Sequence, residues 1–358
     1  MITALIPAHN ESDTIADTVQ ALQDQELPLD RIIVIVDNCT DDTEAKALKA
    51  GAETYITVNN KDMKAGGLNA ALARFVLPSA DDDDLVICID ADSIVGPNFT
   101  RQAAADLRHD PRLGGVSGTY HGKSGGKLVG WCQRNEFARW GFDNRMQGGR
   151  TVILSGAASV FRVRALRDVV SARQAGKLPG RDGVYCVDNI TEDFELSLAL
   201  RHIGWGIRNM LNVRIDTSVK PTWHELHTQR VRWDRGINEG LFQYGITRYT
   251  ASVWFKRTVY AVFVPVSFLI LAVLSYRAAA GTLFHINLFW IVISLIMMTQ
   301  KCLTIRQGRG AGNALLAFLI FPELPYDTFL QVTFLRALYG QFAHKTKKWR
   351  LWQWRLSV

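Results

Sequence analysis

Leu85-Val86-Ile87-Cys88-Ile89-Asp90-Ala91-Asp92 is the stretch that decides the fold. Five apolar residues without polar alternation suit a strand buried on both faces, as parallel sheets use, and the run stops on carboxylates. The same design occurs twice upstream. Ile2-Thr3-Ala4-Leu5-Ile6 ends at Pro7, and Arg31-Ile32-Ile33-Val34-Ile35-Val36 ends at Asp37-Asn38-Cys39-Thr40-Asp41-Asp42. Between the first two runs, Ile15, Val19 and Leu22 recur at helical spacing; residues 43–48 and 67–75 read as further helices and 54–58 as a strand. Strands alternating with helices in this way predict an α/β protein with a doubly wound sheet, which binds ligands at the carboxyl ends of its strands. Those ends carry Asp37 and the pair Asp90 and Asp92.

The whole chain of 358 residues accommodates one large α/β domain and a smaller unit. We divide it into a catalytic domain over 1–250, including interfacial helices, and a membrane-associated region over 251–358. The division follows from apolar runs that concentrate in the last third, with spans expected near 259–276 and 283–300. Lys256 and Arg257 precede the first run, and Lys301, Arg306 and Arg309 follow the second, which predicts an out-and-back hairpin with both basic flanks in the cytosol. A third apolar segment, 314–339, is broken by Phe321-Pro322-Glu323-Leu324-Pro325, so it is expected to be re-entrant, interfacial or a kinked span. The strand-like run begins at once at the N-terminus without a basic n-region, so no signal peptide is expected and the large domain is placed in the cytosol.

Cys39, Cys88, Cys132, Cys186 and Cys302 are scattered without a C-x-x-C pair, which argues for reduced thiols rather than a disulfide framework or structural zinc. The formal charge of +7 includes the tail residues Lys345, Lys347, Lys348, Arg350 and Arg355. These adjoin apolar segments, so anionic lipid and not nucleic acid is the expected partner; a homo-oligomer is left open.

Several stretches carry candidate chemistry. Asp90 and Asp92, at i and i+2 on an extended chain, would place two carboxylates on one side, as a Mg²⁺ or Mn²⁺ ion completing its shell with water and diphosphate requires. Lys61 to Asn69 opens a helix with a lysine and two glycines, read either as a phosphate-facing N-terminus or as a turn or C-cap. Asp81 to Asp84 reads as a solvated acidic loop. Residues 128–146 read as a helix that interleaves aromatic and basic residues, suited to a membrane surface or to half-burial. In Leu154-Ser155-Gly156-Ala157-Ala158, small residues let backbone approach a ligand. Thr191-Glu192-Asp193 begins a helix with Thr191 as expected N-cap, and the dipole there favours an ionised Asp193 that can act as general base; Glu192 and Glu195 compete for that role. Finally, Gln229, Arg232 and Trp233 fall within one helical turn just before the first apolar run. An amide, a guanidinium fork and an indole face suit a diphosphate and a sugar ring.

Taken together, Ile6-Pro7-Ala8-His9-Asn10-Glu11, Asp37-Asn38-Cys39-Thr40-Asp41-Asp42-Thr43, Asp90-Ala91-Asp92, Thr191-Glu192-Asp193 and Gln229-x-x-Arg232-Trp233 follow the order and approximate spacing of family 2 glycosyltransferases. The chain resembles their membrane-bound branch, which includes cellulose, chitin, hyaluronan and poly-N-acetylglucosamine synthases. The resemblance implies a GT-A fold, a nucleotide-sugar donor that is usually UDP-linked, Mg²⁺ or Mn²⁺, and inversion at the anomeric carbon. By position it implies Asp193 as base and Asp92 with Asp90 at the metal. Pro7, Glu11, Asp37, Lys64, Asp90, Gln229, Arg232 and Trp233 would hold the donor, and Ser155, Gly156, Glu192 and Trp233 the saccharide or lipid-linked acceptor. Alternatives are a polyprenyl-phosphate monosaccharide transferase, which usually lacks the Gln-x-x-Arg-Trp motif, and an inactive membrane adaptor, against which the retained Asp90, Asp92 and Asp193 argue. Having only two or three spans departs from the polymer-secreting members.

Overall fold

A computed structural model describes residues 1–282, 288–318 and 323–343. The chain opens with β1 (Ile2–Ala8), α1 (Ile15–Gln23), β2 (Arg31–Val36), α2 (Thr43–Lys49), β3 (Glu53–Ile56), α3 (Met63–Ala71) and β4 (Leu85–Ile89). It continues through β5 (Ile94–Val95), α4 (Phe99–His109), β6 (Leu113–Gly122), α5 (Lys127–Met146), β7 (Ala158–Arg162), α6 (Val163–Gln174), α7 (Glu192–His202) and β8 (Gly206–Thr217). Helices then follow one another: α8 (Trp223–Tyr244), α9 (Ala251–Ala279), α10 (Leu288–Arg309), α11 (Ala311–Phe318) and α12 (Glu323–Ala343).

The strands form one eight-stranded sheet in the order β3-β2-β1-β4-β7-β6-β8-β5. β3, β2, β1 and β4 are parallel; β7 runs antiparallel to β4 and β6, so the sheet is mixed. The unbroken apolar runs are explained by cover on both faces. Val34, Val36, Ile87 and Ile89 pack with α1, α2 and α4, whereas Ile33, Ile35, Val86 and Cys88 pack with α3, α6 and α7. Strand order reverses between β1 and β4, where a doubly wound sheet opens its ligand crevice.

Some local expectations change. The chain at Asp90-Ala91-Asp92 is not extended, because Ser93 N–H donates to the Asp90 carbonyl at 3.0 Å and closes a turn. The lysine-glycine stretch is neither C-cap nor turn but the first turns of α3, with Met63 at φ 51. Thr191 sits at the N-cap of α7 but makes no capping bond; its hydroxyl donates to Asn189 Oδ1 at 3.0 Å instead. The acidic loop is exposed as expected, yet Asp82 and Asp83 pair at 2.6 Å with Arg167 and Arg162, so it also ties down α6 and β7.

α8 is started by a reciprocal cap in which Thr222 Oγ1 accepts from Glu225 N–H at 3.2 Å and donates to Glu225 Oε1 at 2.9 Å. It lies close against α7 because Gly236 and Gly240 face Thr191 and Phe194; a Cβ at Gly236 would fall 2.8 Å from Thr191 Cβ. Gly236→Ala should therefore cost about 1–3 kcal/mol of stability by overpacking. An unfolding midpoint equal to that of the parent protein would refute this close-approach argument.

Among the described residues α9 is the one helix long and apolar enough to cross a membrane, with a mean hydropathy of 2.3 in its best window. Val264 is its buried residue, while Phe255, Phe263, Leu269 and Tyr276 are exposed. Residues 283–287 of the second expected span lie outside the described residues; the remainder begins α10, whose C-terminal end packs on α5 through Gly308 against Ala138. In the third segment, Phe321 and Pro322 lie outside the described residues, and α12 beyond them lies along α8 with Tyr326, Phe334 and Ala337 buried. The basic tail also lies outside the described residues. α5 is a half-buried helix, with Cys132, Gln133, Asn135, Glu136 and Phe137 turned inward.

Candidate active site

The carboxyl ends of β1, β2 and β4, the start of α3 and one stripe of α8 enclose a cleft of about 890 Å³, a size that admits a nucleotide-sized ligand. Pro7 and Glu11 follow β1 and Asp37 follows β2. Asp90 and Asp92 follow β4, and Lys64 comes from α3; all of them line this cleft. Opposite them stand Gln229 and Arg232 of α8 and Glu192 of α7.

Asp37 is held rigidly: its Oδ1 accepts from Thr57 Oγ1 at 2.6 Å and Asn60 Nδ2 at 2.9 Å. Asn60 also donates to the Met63 carbonyl at 2.7 Å, which links the wall at β2 to the first turn of α3. Gly66 leaves room for that Asn60 side chain. Lys64 reaches the centre of the cleft, where its Nζ meets Asp90 Oδ1 at 2.5 Å, Glu192 Oε1 at 3.1 Å and the Gly156 carbonyl at 3.3 Å. Burial lowers the pKa of this ammonium, but Asp90 and Glu192 outweigh it and raise the pKa overall.

Asp193 occupies the first turn of α7, and both its oxygens are fixed. Oδ2 accepts from Gly156 N–H at 3.0 Å, and Oδ1 from Phe194 N–H at 2.8 Å. The helix dipole does not decide its ionisation as the sequence led us to expect. Burial, then the Glu192 charge, push the Asp193 carboxyl up to about 6, because a buried charge beside a like charge is costly. Glu192 moves the other way: burial opposes ionisation, but Lys64 and Arg232 overcome it and lower its pKa. Glu195 does not compete for the cleft. It is fully buried, pairs with Arg173 at 2.6 Å and accepts from the Tyr244 hydroxyl at 2.6 Å.

The small residues after Leu154 serve a different partner from the one expected. A Cβ on Gly156 would lie 2.9 Å from Asp193 Oδ2, so the backbone approaches the acid itself rather than leaving space for a ligand. Ser155 accepts from Ala157 N–H at 3.0 Å, and its side chain also bonds Tyr120. Both Ser155 and Gly156 lie next to Asp193 in a small pocket behind Lys64.

Trp233 parts from its two motif partners. Gln229 and Arg232 line the cleft, but the Trp233 ring packs 6.4 Å from that of Trp140, and Arg230 lies 4.2 Å from its centroid. Residues absent from the sequence reading also line the cleft: His224, Glu225 and Thr228 continue the Gln229/Arg232 stripe of α8, and Lys220 precedes it. Their signal was present as i, i+4 spacing (224, 228, 232 and 225, 229), which only becomes informative once one face of α8 is known to be solvent-lined.

Among the described residues no cluster of three or more His, Cys, Asp or Glu forms a ready-made cation site. The donor set fits a hard divalent ion nonetheless. Asp90 and Asp92 open into the cleft, and Glu11 beside them is raised in pKa by burial and by those two charges, a concentration of carboxylates that a Mg²⁺ or Mn²⁺ ion would relieve.

A family model described as glycosyl transferase family group 2 matches residues 85–299. Poly-beta-1,6-N-acetyl-D-glucosamine synthase of Staphylococcus aureus (strain MSSA476) is 29% identical over 248 residues, 68% of this chain and 56% of that protein. The Staphylococcus epidermidis enzyme of the same name is 27% identical over the same length. The chain thus spans about half the length of the curated relatives it matches. Among solved structures, the mannosyltransferase PcManGT from Pyrobaculum calidifontis, in complex with GDP-Man and Mn²⁺, has the same overall fold. Its TM-score is 0.64 at 17% identity, covering 96% of this chain and 88% of that one.

Proposed function

The chain belongs to the family 2 glycosyltransferases, and on that premise we propose that it moves a hexose or N-acetylhexosamine, UDP-linked by preference, to a saccharide or lipid-linked acceptor with inversion at the anomeric carbon. The observation that carries this reading is Asp193: a carboxylate with both oxygens aimed by backbone N–H groups, in a small pocket whose Lys64 and Glu192 also line the larger cleft that holds Asp90. In this reading an acceptor hydroxyl gives its proton to Asp193 as its oxygen bonds the anomeric carbon. The bond from that carbon to the diphosphate breaks on the opposite face, which inverts the centre. Lys64, Arg232 and Gln229 receive the diphosphate, with Pro7, Glu11 and Asp37 along the nucleoside. Glu192 and Trp233 are read as the acceptor contacts, with Ser155 and Gly156 beside the Asp193 carboxylate that the acceptor must reach. Asp92 and Asp90 would hold Mg²⁺ or Mn²⁺, which when bound neutralises the leaving diphosphate.

The test is a donor screen. Purified protein, Mg²⁺ or Mn²⁺ and a panel of UDP sugars are assayed for released UDP, with and without added lipid or oligosaccharide. UDP-N-acetylglucosamine comes first because of the names of the relatives. Release with one sugar, abolished in Asp193→Asn, is the expected result; no release from any sugar would overturn the reading.

The exposed apolar length of α9 supports a second element, an integral membrane protein whose residues 1–250 stay on the cytosolic side. Cysteine labelling from outside should then reach a probe near Ala279 but none within 1–250. External labelling of the large domain would contradict this topology.

A further inference from the structure

α8 has two working faces. His224, Thr228, Gln229 and Arg232 line the cleft, whereas Trp223, His227 and Arg230 turn towards α12. Along this second face Trp223 packs edge-on against Phe329 with centroids 4.9 Å apart, and His227 meets Thr333 Oγ1 at 3.0 Å. Trp233 is not among the residues that line the cleft; it follows Arg232 directly, and its ring packs against Trp140 and Arg230.

The ring is fixed by a buried chain of polar groups from three elements. Tyr326 of α12 donates its hydroxyl to Glu136 Oε2 of α5 at 2.6 Å, and the same oxygen accepts from Arg230 Nη2 at 2.6 Å. The Arg230 guanidinium lies 4.2 Å from the centroid of Trp233 and 5.5 Å from that of Trp140. Among the described residues its Nε and Nη1 are buried without a hydrogen-bond partner. Leaving two donors of a buried cation unpaired is costly unless something else faces them, and the two indole faces supply that attraction. The arrangement holds only while Glu136 pins the guanidinium's other edge. Glu136 in turn shares its accepting oxygen with a residue 190 positions later in the chain. Without Tyr326 and Glu136, Arg230 is drawn towards water and the Trp233 ring loses its support.

We propose that Arg230, Glu136 and Tyr326 are positioning residues which set the Trp233 ring, so that the seating of α12 on α8 controls engagement of the sugar acceptor. This rests on the reading of Trp233 as an acceptor contact. Reaction chemistry is untouched by the relay, since no member faces the cleft. Its effect falls on the acceptor KM and leaves kcat and donor affinity near their parent values.

The test is a double-mutant cycle with UDP-N-acetylglucosamine, Mn²⁺ and a short N-acetylglucosamine oligosaccharide as acceptor. Tyr326→Phe removes one oxygen and Glu136→Gln keeps the shape, so a folded protein is obtained from the first even if the second unfolds. Tyr326→Phe should raise the acceptor KM by about 10-fold, the scale of a lost hydrogen bond to a charged group, with donor affinity unchanged. In the Trp233→Ala background it should add nothing, because the ring it positions is gone. A substrate-free readout runs alongside: the Trp233 emission, taken as the difference from each protein's Trp233→Phe counterpart, should shift in Tyr326→Phe. An equal rise in KM with and without Trp233, or an unchanged emission difference, overturns the relay and leaves a packing role. If Trp233→Ala itself has a normal acceptor KM, the assignment of Trp233 fails, and the relay's functional consequence fails with it for that separate reason.

Discussion

Asp193→Asn is expected to lower turnover by about 10² to 10⁴-fold while donor binding survives, the usual loss when a positioned general base is removed. The geometry makes this a demanding test. Asp193 accepts from two backbone N–H groups, so an asparagine must turn its NH₂ towards either Gly156 N–H or Phe194 N–H. A melting curve therefore accompanies the assay, to separate lost chemistry from a disturbed start of α7. Calorimetry with the UDP sugar gives the other half: near-normal affinity with collapsed turnover fits a base, whereas parallel loss of both would make Asp193 a binding or structural residue and send the search to Glu192.

The same carboxyl predicts the acid limb of the pH profile. With its pKa at about 6, Asp193 is mostly ionised at neutral pH and able to accept a proton. kcat/KM should fall about tenfold per pH unit below that value, as a single required carboxylate implies. The stability sign runs the opposite way to that of a salt-bridged acid. Because the folded-state pKa lies above the unfolded value, this group favours the fold at low pH, and that contribution is lost as pH rises through about 6. An acid limb unchanged in position in Asp193→Asn would show that another group sets it.

Asp92→Asn should abolish the metal-dependent part of donor binding and leave the fold intact. Asp92 is half-buried at the cleft, and its side chain takes a bond from Ser93 Oγ at 3.3 Å, so little packing depends on its charge. An amide of nearly the same shape is a poor ligand for a hard divalent ion. A titration of Mn²⁺ against UDP-sugar binding reads the effect directly: a metal-dependent increase in the parent protein and none in the variant. Unchanged turnover at limiting Mg²⁺ or Mn²⁺ would remove Asp92 from the metal. Asp90→Asn is a less clean variant, since Asp90 also neutralises Lys64 at 2.5 Å.

What the sequence alone determined was whatever depends on local periodicity and on chain order. Buried β-branched runs ending at Asp37 and at Asp90 could only be inner strands of a layered sheet, because five or six consecutive apolar residues need cover on both faces. The apolar length of α9 was equally legible, and so were Pro7, Glu11, Asp37, Lys64, Asp90, Asp92, Glu192, Gln229 and Arg232 as residues that converge on one cleft, since their motifs stand at strand and helix ends; Lys220, His224, Glu225 and Thr228 were not. Pairings between distant segments were not. Asp193 was readable as an acid at a helix start, but its raised pKa arises from burial and from Glu192, and its orientation from Gly156, 37 residues away. Glu195 looked equivalent to it and proved fully buried against Arg173, a contact no local pattern encodes. The antiparallel insertion of β7 between β4 and β6, the turn at Asp90, and the rotation of Trp233 away from Gln229 and towards Arg230 were likewise decided only in three dimensions. Side-chain direction and ionisation depend on which distant groups share a low-dielectric environment, and only the folded chain brings those groups together.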